Sequence, residues 1–178
     1  RGDRVFPVSD KSSDVIHAFT RELNRLGVDI RLNTCATPEL IEKIAPDALI
    51  LAVGSTPIVP PLPGMDGDNV VIVNNYYLEK DKVQDTVVVL GGGLAGSECA
   101  VHLGMEGKQV HLVEMRDALA VDCNIRHRPI LMKQVDQYTT VHTSCRGLRV
   151  TAEGLVCLDA EGKEVLIPGK TVSCAVGQ

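Results

Sequence analysis

Two periods of apolar residues run along this chain, and the change from one to the other marks its elements. Between residues 12 and 26, Val15, Ile16, Phe19, Leu23 and Leu26 recur at helical spacing. Ser12 or Ser13 is placed to cap the start of that helix, and Gly27 to end it. Residues 28–32 predict a short strand. Thr37 followed by Pro38 has the order of an N-cap and a first helical residue, which predicts a second helix that stops near Pro46. The continuous apolar run at 47–53 (DALILAV) predicts a buried strand, closed by Gly54-Ser55-Thr56-Pro57.

Residues 57–64 (PIVPPLPG) break this pattern with four prolines and a glycine, so they read as a stiff connector and the best candidate domain boundary. Beyond it, 70–73 predicts a strand and 76–80 a short helix. Residues 87–90 form an apolar strand, 97–105 a helix and 110–113 a second strand. Residues 125–137 predict a helix with Pro129 early in it or kinking it, and 139–142 a third parallel strand. Then the character changes. Short strands at 148–151, 155–159 and 164–167, with turns at Glu153-Gly154 and Glu161-Gly162-Lys163, predict an antiparallel three-stranded meander. Residues 172–176 return to the parallel sheet. The expected class is α/β: a Rossmann-like parallel sheet with a three-stranded antiparallel meander, preceded by part of another domain.

The densest chemistry lies at 86–98, TVVVLGGGLAGSE. Gly91, Gly93 and Gly96 fit G-x-G-x-x-G between a strand and a helix. Gly91 allows the tight turn, Gly93 lets backbone approach a pyrophosphate, and Gly96 lets the helix pack close to the sheet. The second strand ends in Glu114, 23 residues after Gly91, where a carboxylate can accept hydrogen bonds from an adenosine ribose diol. Gly91, Gly92, Gly93, Leu94 and Ala95 are thus expected to cradle pyrophosphate. Glu114 would hold the ribose, with Met115 and Arg116 beside the adenosine. An acid that accepts from a 2′-OH and repels a 2′-phosphate favours NAD(H) over NADP(H).

Composition narrows the partners. Of 178 residues, 44% are apolar and 23% charged, the range of soluble globular proteins. The net charge of −5, with no basic run, argues against nucleic acid. No apolar run reaches the roughly 18 to 20 residues of a membrane span. The six cysteines are scattered without C-x-x-C or zinc spacing, so no metal site is expected and a reduced, cytoplasmic setting is the simplest account. Cys99, Cys157 and Cys174 fall on apolar-periodic positions and read as buried thiols. The abrupt start at Arg1 and the end just after an apolar strand read as a piece of a longer protein.

Taken together, 32–57, PGMDG at 63–67, VVVLGGGLAGSECAVHLGMEGKQVHLVEM at 87–115 and the meander ending in KTVSCAVG resemble two-dinucleotide-binding flavoprotein oxidoreductases. They are most similar to the C-terminal part of the 2,4-dienoyl-CoA reductase and 2-enoate reductase group. The resemblance implies that a nicotinamide domain (83–178) is inserted into an FAD domain (1–62 here), with a crossover at 63–82. It implies seams at the two A-V-G strands, hence roles for Gly54 and Gly177, and a nicotinamide-facing role for Glu98. It implies FAD in the full-length protein, with FMN and an iron–sulfur cluster possible there but not bound by this chain. The expected partners are a nucleotide, the remainder of the parent flavoprotein and, as one option, a second copy. Residues 2–15 instead resemble a phrase of aminoacetone-oxidase-like flavoproteins. The alternatives are a non-catalytic dinucleotide-binding module and a disulfide-reductase-like enzyme.

Other residues tempt without convincing. Tyr76 and Lys80 make a Y-x-x-x-K, but ahead of the glycine loop rather than after it, and read as a solvated helix turn. Cys35 lacks the second sulfur that a dithiol cycle needs. His17, His102, His111, His127 and His142 read as surface or packing residues. No residue stands out as general acid, base or nucleophile.

Overall fold

The computed structural model describes residues 10–76 and 78–178. The chain divides into two compact units, the first ending at Gly54 and the second running from Ser55 to Gln178.

In the first unit, α1 (Asp10–Arg25) carries the predicted apolar stripe. It starts earlier than Ser12 and Ser13, which lie inside it, and Gly27 comes after it in a left-handed conformation. In α2 (Pro38–Ile44), Thr37 accepts from the Leu40 N–H as N-cap, and Ala45 closes the end. The predicted strands at 28–32 and 47–53 are not formed. Both segments are irregular and exposed, with Ile50 at 88% and Val53 at 86%. A strand is held by the N–H and C=O groups of a neighbour, and among the described residues none pairs with either segment. The apolar face of α1, including Phe19 at 67%, is likewise open to solvent. Most of residues 2–15, including the phrase that reads unlike the rest, lies outside the described residues or their described side chains.

The second unit holds both cores. Its strands are β1 (Val70–Ile72), β2 (Thr86–Leu90), β3 (Gln109–Val113), β4 (Thr140–His142), β5 (Arg146–Thr151), β6 (Gly154–Leu158), β7 (Glu164–Pro168) and β8 (Thr171–Cys174). The first four and β8 form a parallel sheet in the order β1-β8-β2-β3-β4, and β5-β6-β7 form the antiparallel meander. Helices α3 (Leu94–Met105) and α4 (Arg128–Tyr138) cross between parallel strands. Pro129 sits in the first turn of α4, where a missing N–H costs nothing.

Residues of β2 show why the strand is apolar throughout. Val87 and Val89 pack with Ala100, Leu103 and Leu112 on the helix side. Val88 and Leu90 pack with Val150, Leu155 and Ile167 on the meander side. A strand covered on both faces loses the polar alternation of a half-exposed one. Each fully buried valine contributes about 1.5–3 kcal/mol, and Val87, Val88 and Val89 are all 0% exposed. The proline run joins this unit. Leu62 packs against the meander core, Pro63 C=O accepts from Val150 N–H, and Ile58 N–H donates to Gly177 C=O.

Two sequence readings change here. Residues 76–80 are not a solvated helix turn. Short 3₁₀ turns occupy Val73–Asn75 and Lys80–Lys82, and Tyr76 is 2% exposed. Its hydroxyl donates to Glu106, which also accepts from Lys80, so the end of α3 buries the ring. Burial alone would raise the Glu106 carboxyl, but these hydrogen bonds and nearby His102 carry it below the usual range. Among the cysteines, Cys157 and Cys174 are buried as expected and Cys99 is partly so, its thiol pushed up to about 11 by desolvation. Cys145 is buried as well. Among the described residues no helix is long and apolar enough to cross a membrane, and no group of three or more His, Cys, Asp or Glu gathers as a metal site.

Candidate nucleotide site

Parallel strands β2, β3 and β8 all end at one edge of the sheet, and α3 begins there, just beyond β2. In open parallel sheets the crevice beyond the strand ends is where ligands bind. Here it holds a cavity of about 510 Å³, within the range of small-molecule sites. Each strand hands on residues to the wall: Gly91, Gly93, Leu94 and Ala95 after β2, Glu114, Met115 and Arg116 after β3, and Ala175, Val176 and Gly177 after β8. Leu90 and Val113 at the strand ends, Arg146 and Gly147 of the meander, Cys145, Asp122, Pro60 and Leu62 complete it.

Each glycine of the loop has a separate spatial reason. Gly91 has φ +106°, and a Cβ there would meet the Ala175 carbonyl oxygen at 2.4 Å. At Gly93 a Cβ would meet only the Asp122 carboxylate, at 3.7 Å, so this backbone is open to the cavity. Gly96 is buried behind the loop, against the Gly91 carbonyl. Gly92 lies beneath the loop and not on the wall, because a Cβ there would run into Leu119 and Glu114. Gly93 is the N-cap of α3 and has no side chain to satisfy the first-turn N–H groups. The Leu94–Ala95 start of the helix lines the cavity, and the helix dipole there suits an anion. Ser97, fully buried, donates to the Gly92 carbonyl at 3.1 Å and pins the loop to the helix.

Glu114 braces the loop from the next strand. Its Oε2 accepts from Gly92 N–H at 2.7 Å and its Oε1 from Arg116 N–H at 2.9 Å. Each oxygen keeps a second lone pair for a ligand hydroxyl. Two arginines, Arg116 and Arg146, line the same cavity. Burial pushes the Cys145 and Cys157 thiols up, so both stay protonated near neutral pH and are poor nucleophiles.

Glu98 stands elsewhere. It is exposed on α3, 3.5 Å from His127 Nε2, and does not line the cavity. Gly54 closes the first unit and is not among the residues of this wall. Sequence reasoning does not find Asp122, Cys145 and Arg146. Asp122 and Cys145 sit on connections whose path no local periodicity encodes, and Arg146 opens β5; only the rule that ligands lie beyond the carboxyl ends of parallel strands points to that edge.

These features define a dinucleotide-binding domain of the Rossmann type. The chain belongs to the pyridine nucleotide-disulphide oxidoreductase family, whose sequence pattern matches residues 24–178. It is 34% identical to an NADH oxidase of Thermoanaerobacter brockii over 165 residues, 88% of this chain and 25% of that protein. It is 33% identical to a cinnamate reductase of Clostridium sporogenes, over 87% of this chain and 24% of that protein. A solved 2-naphthoyl-CoA reductase superposes with a TM-score of 0.76 at 28% identity, covering 93% of this chain and 25% of that one. The chain therefore spans about a quarter of the length of these relatives.

Proposed function

We propose that this chain is the nicotinamide-nucleotide-binding portion of an FAD-dependent oxidoreductase. It takes NADH in preference to NADPH and serves the reduction of an enoate or enoyl-CoA C=C bond. The observation that carries the reading is the open backbone at Gly93 in the cavity floor, with the N-terminus of α3 on one side and Glu114 on the other. The pyrophosphate fits over Gly93, and the adenosine ribose fits against Glu114.

When bound, the nucleotide supplies a hydride to flavin. This chain's residues bind and orient it: the glycine loop accepts the phosphates, Glu114 selects the ribose, and the buried loop–helix contacts hold both in register. Relatives named for reducing cinnamate and 2-naphthoyl-CoA support an unsaturated acyl substrate. The exposed apolar segments of the first unit support its belonging to an FAD-binding domain whose other strands cover them. FMN and an iron–sulfur cluster belong, on this reading, to other parts of a cytoplasmic parent enzyme. Glu98 and Gly54, which lie off this cavity wall, would serve the nicotinamide edge and the FAD seam only within that larger assembly.

Calorimetric titration of the purified chain tests this. NADH should bind, the protein should be colourless, and it should not pass electrons from NADH to a dye. Failure to bind either nicotinamide nucleotide would overturn the reading, and a yellow flavin spectrum would overturn the assignment of FAD to the rest of the parent.

A further inference from the structure

The anion position at the start of α3 already faces a carboxylate. Asp122 Oδ1 accepts from Leu94 N–H at 3.1 Å, with Oδ2 at 3.5 Å. Both oxygens stand 3.7 Å from the place of a Cβ on Gly93, one of the loop residues that line the cavity. The segment carrying Asp122 is fastened down. Ala120, at φ +46°, donates its N–H to the Gly92 carbonyl at 2.8 Å. Arg128 donates to the Leu119 carbonyl from Nε at 3.1 Å and Nη2 at 2.9 Å. Among the described residues, none of the ion pairs includes Asp122. The other charged groups on the cavity wall are Glu114, Arg116 and Arg146.

We infer that Asp122 is an internal competitor for the pyrophosphate position. It caps the first turn of α3 in the free protein and yields that turn when a phosphate-bearing ligand enters. It thereby sets the affinity for nucleotides without touching the adenosine or the nicotinamide. This rests on the nucleotide reading above. A plain helix cap would predict something different, because a cap affects folding and leaves discrimination among ligands alone.

The test uses the whole chain, wild type and Asp122→Asn, with adenosine, ADP and NADH as calorimetric probes. Asn keeps an oxygen for the Leu94 N–H and removes the charge. ADP and NADH should bind about three- to tenfold more tightly to the variant, and adenosine no differently, as expected for removing one like charge near a phosphate. The gain should shrink in high salt. Unchanged or weaker ADP binding by the variant, with NADH still bound by the wild type, overturns this inference and leaves the nucleotide reading standing. An equal gain for adenosine overturns it too, since the effect would then be on the fold. Silence of both proteins toward all three ligands overturns the nucleotide reading and this inference with it.

Discussion

A Cβ on Gly96 would lie 1.9 Å from the carbonyl oxygen of Gly91, so α3 leaves β2 with no room for even one methyl group between them. The two glycines five residues apart are a packing pair first. At Gly93, between them in the chain, a Cβ would meet only the Asp122 carboxylate, at an ordinary contact distance of 3.7 Å. This separates two substitutions that look alike in sequence. Gly96→Ala should destabilise by about 1–3 kcal/mol or more through overpacking, visible as a lower Tm. Gly93→Val should leave Tm nearly unchanged and abolish NADH binding in calorimetry, because its methyl groups project where a pyrophosphate would lie. Normal NADH binding by Gly93→Val would place the phosphates elsewhere.

Glu114 braces the loop and faces the cavity, so its replacement has two consequences. Loss of its carboxylate leaves the Gly92 and Arg116 N–H groups without their acceptor. It also removes the charge that disfavours a 2′-phosphate beside Arg116. Glu114→Ala should weaken NADH binding by about 1–3 kcal/mol, the scale of a charged hydrogen bond with its partners orphaned. NADPH binding should suffer less, so the gap between the two narrows. Titration of both nucleotides against wild type and variant reads this directly, and a wild-type preference for NADPH would count against the assigned role.

How much of this is legible in the sequence depends on how locally each feature is encoded. Strand β2, the glycine loop, α3 and β3 are legible because an apolar run, three glycines and a terminal acid succeed one another without interruption. The meander is legible from its turns. Residues 28–32 and 47–53 mislead because an apolar run states a wish for burial, while a strand also requires a neighbour. Tyr76 misleads because its surroundings come from far along the chain: it joins the core beside Ala100 and Leu103, and its hydroxyl donates to Glu106, 30 residues away. Asp122 and Arg146 have no local signal, since only the folded path brings them to the edge where β2 and β3 end.

Both cores lie wholly within the second unit, with members running from Leu62 to Ala175. The first unit keeps most of its described large apolar side chains exposed. A chain trimmed to residues 55–178 should therefore fold cooperatively and bind NADH as the full chain does. It should also bind less of a hydrophobic dye such as ANS, because the face of α1 and the run at 47–53 are gone. Loss of a cooperative thermal transition on trimming would show that the first unit contributes to the core of the second.

His111 and His142 meet side by side on β3 and β4, Nδ1 of the first 3.1 Å from Nε2 of the second. Burial lowers the affinity of His111 for a proton, and burial together with the charge of His111 lowers that of His142. The folded state therefore prefers both rings neutral. The unfolded chain takes up protons at the ordinary value of 6.5, so the stability held by the neutral pair is complete above that pH. It is lost as pH falls through the lower folded values. Carboxylates such as Glu106 act in a separate window, because their contribution is retained until pH drops below the ordinary 4.5. Thermal unfolding tracked from pH 7.5 down to pH 5 should accordingly show Tm falling in the wild type before any carboxylate titrates. His111→Gln removes one half-buried ring and the like charge facing the other, and should flatten that fall. An equal fall in wild type and variant would mean that the acid sensitivity of this fold resides outside the pair.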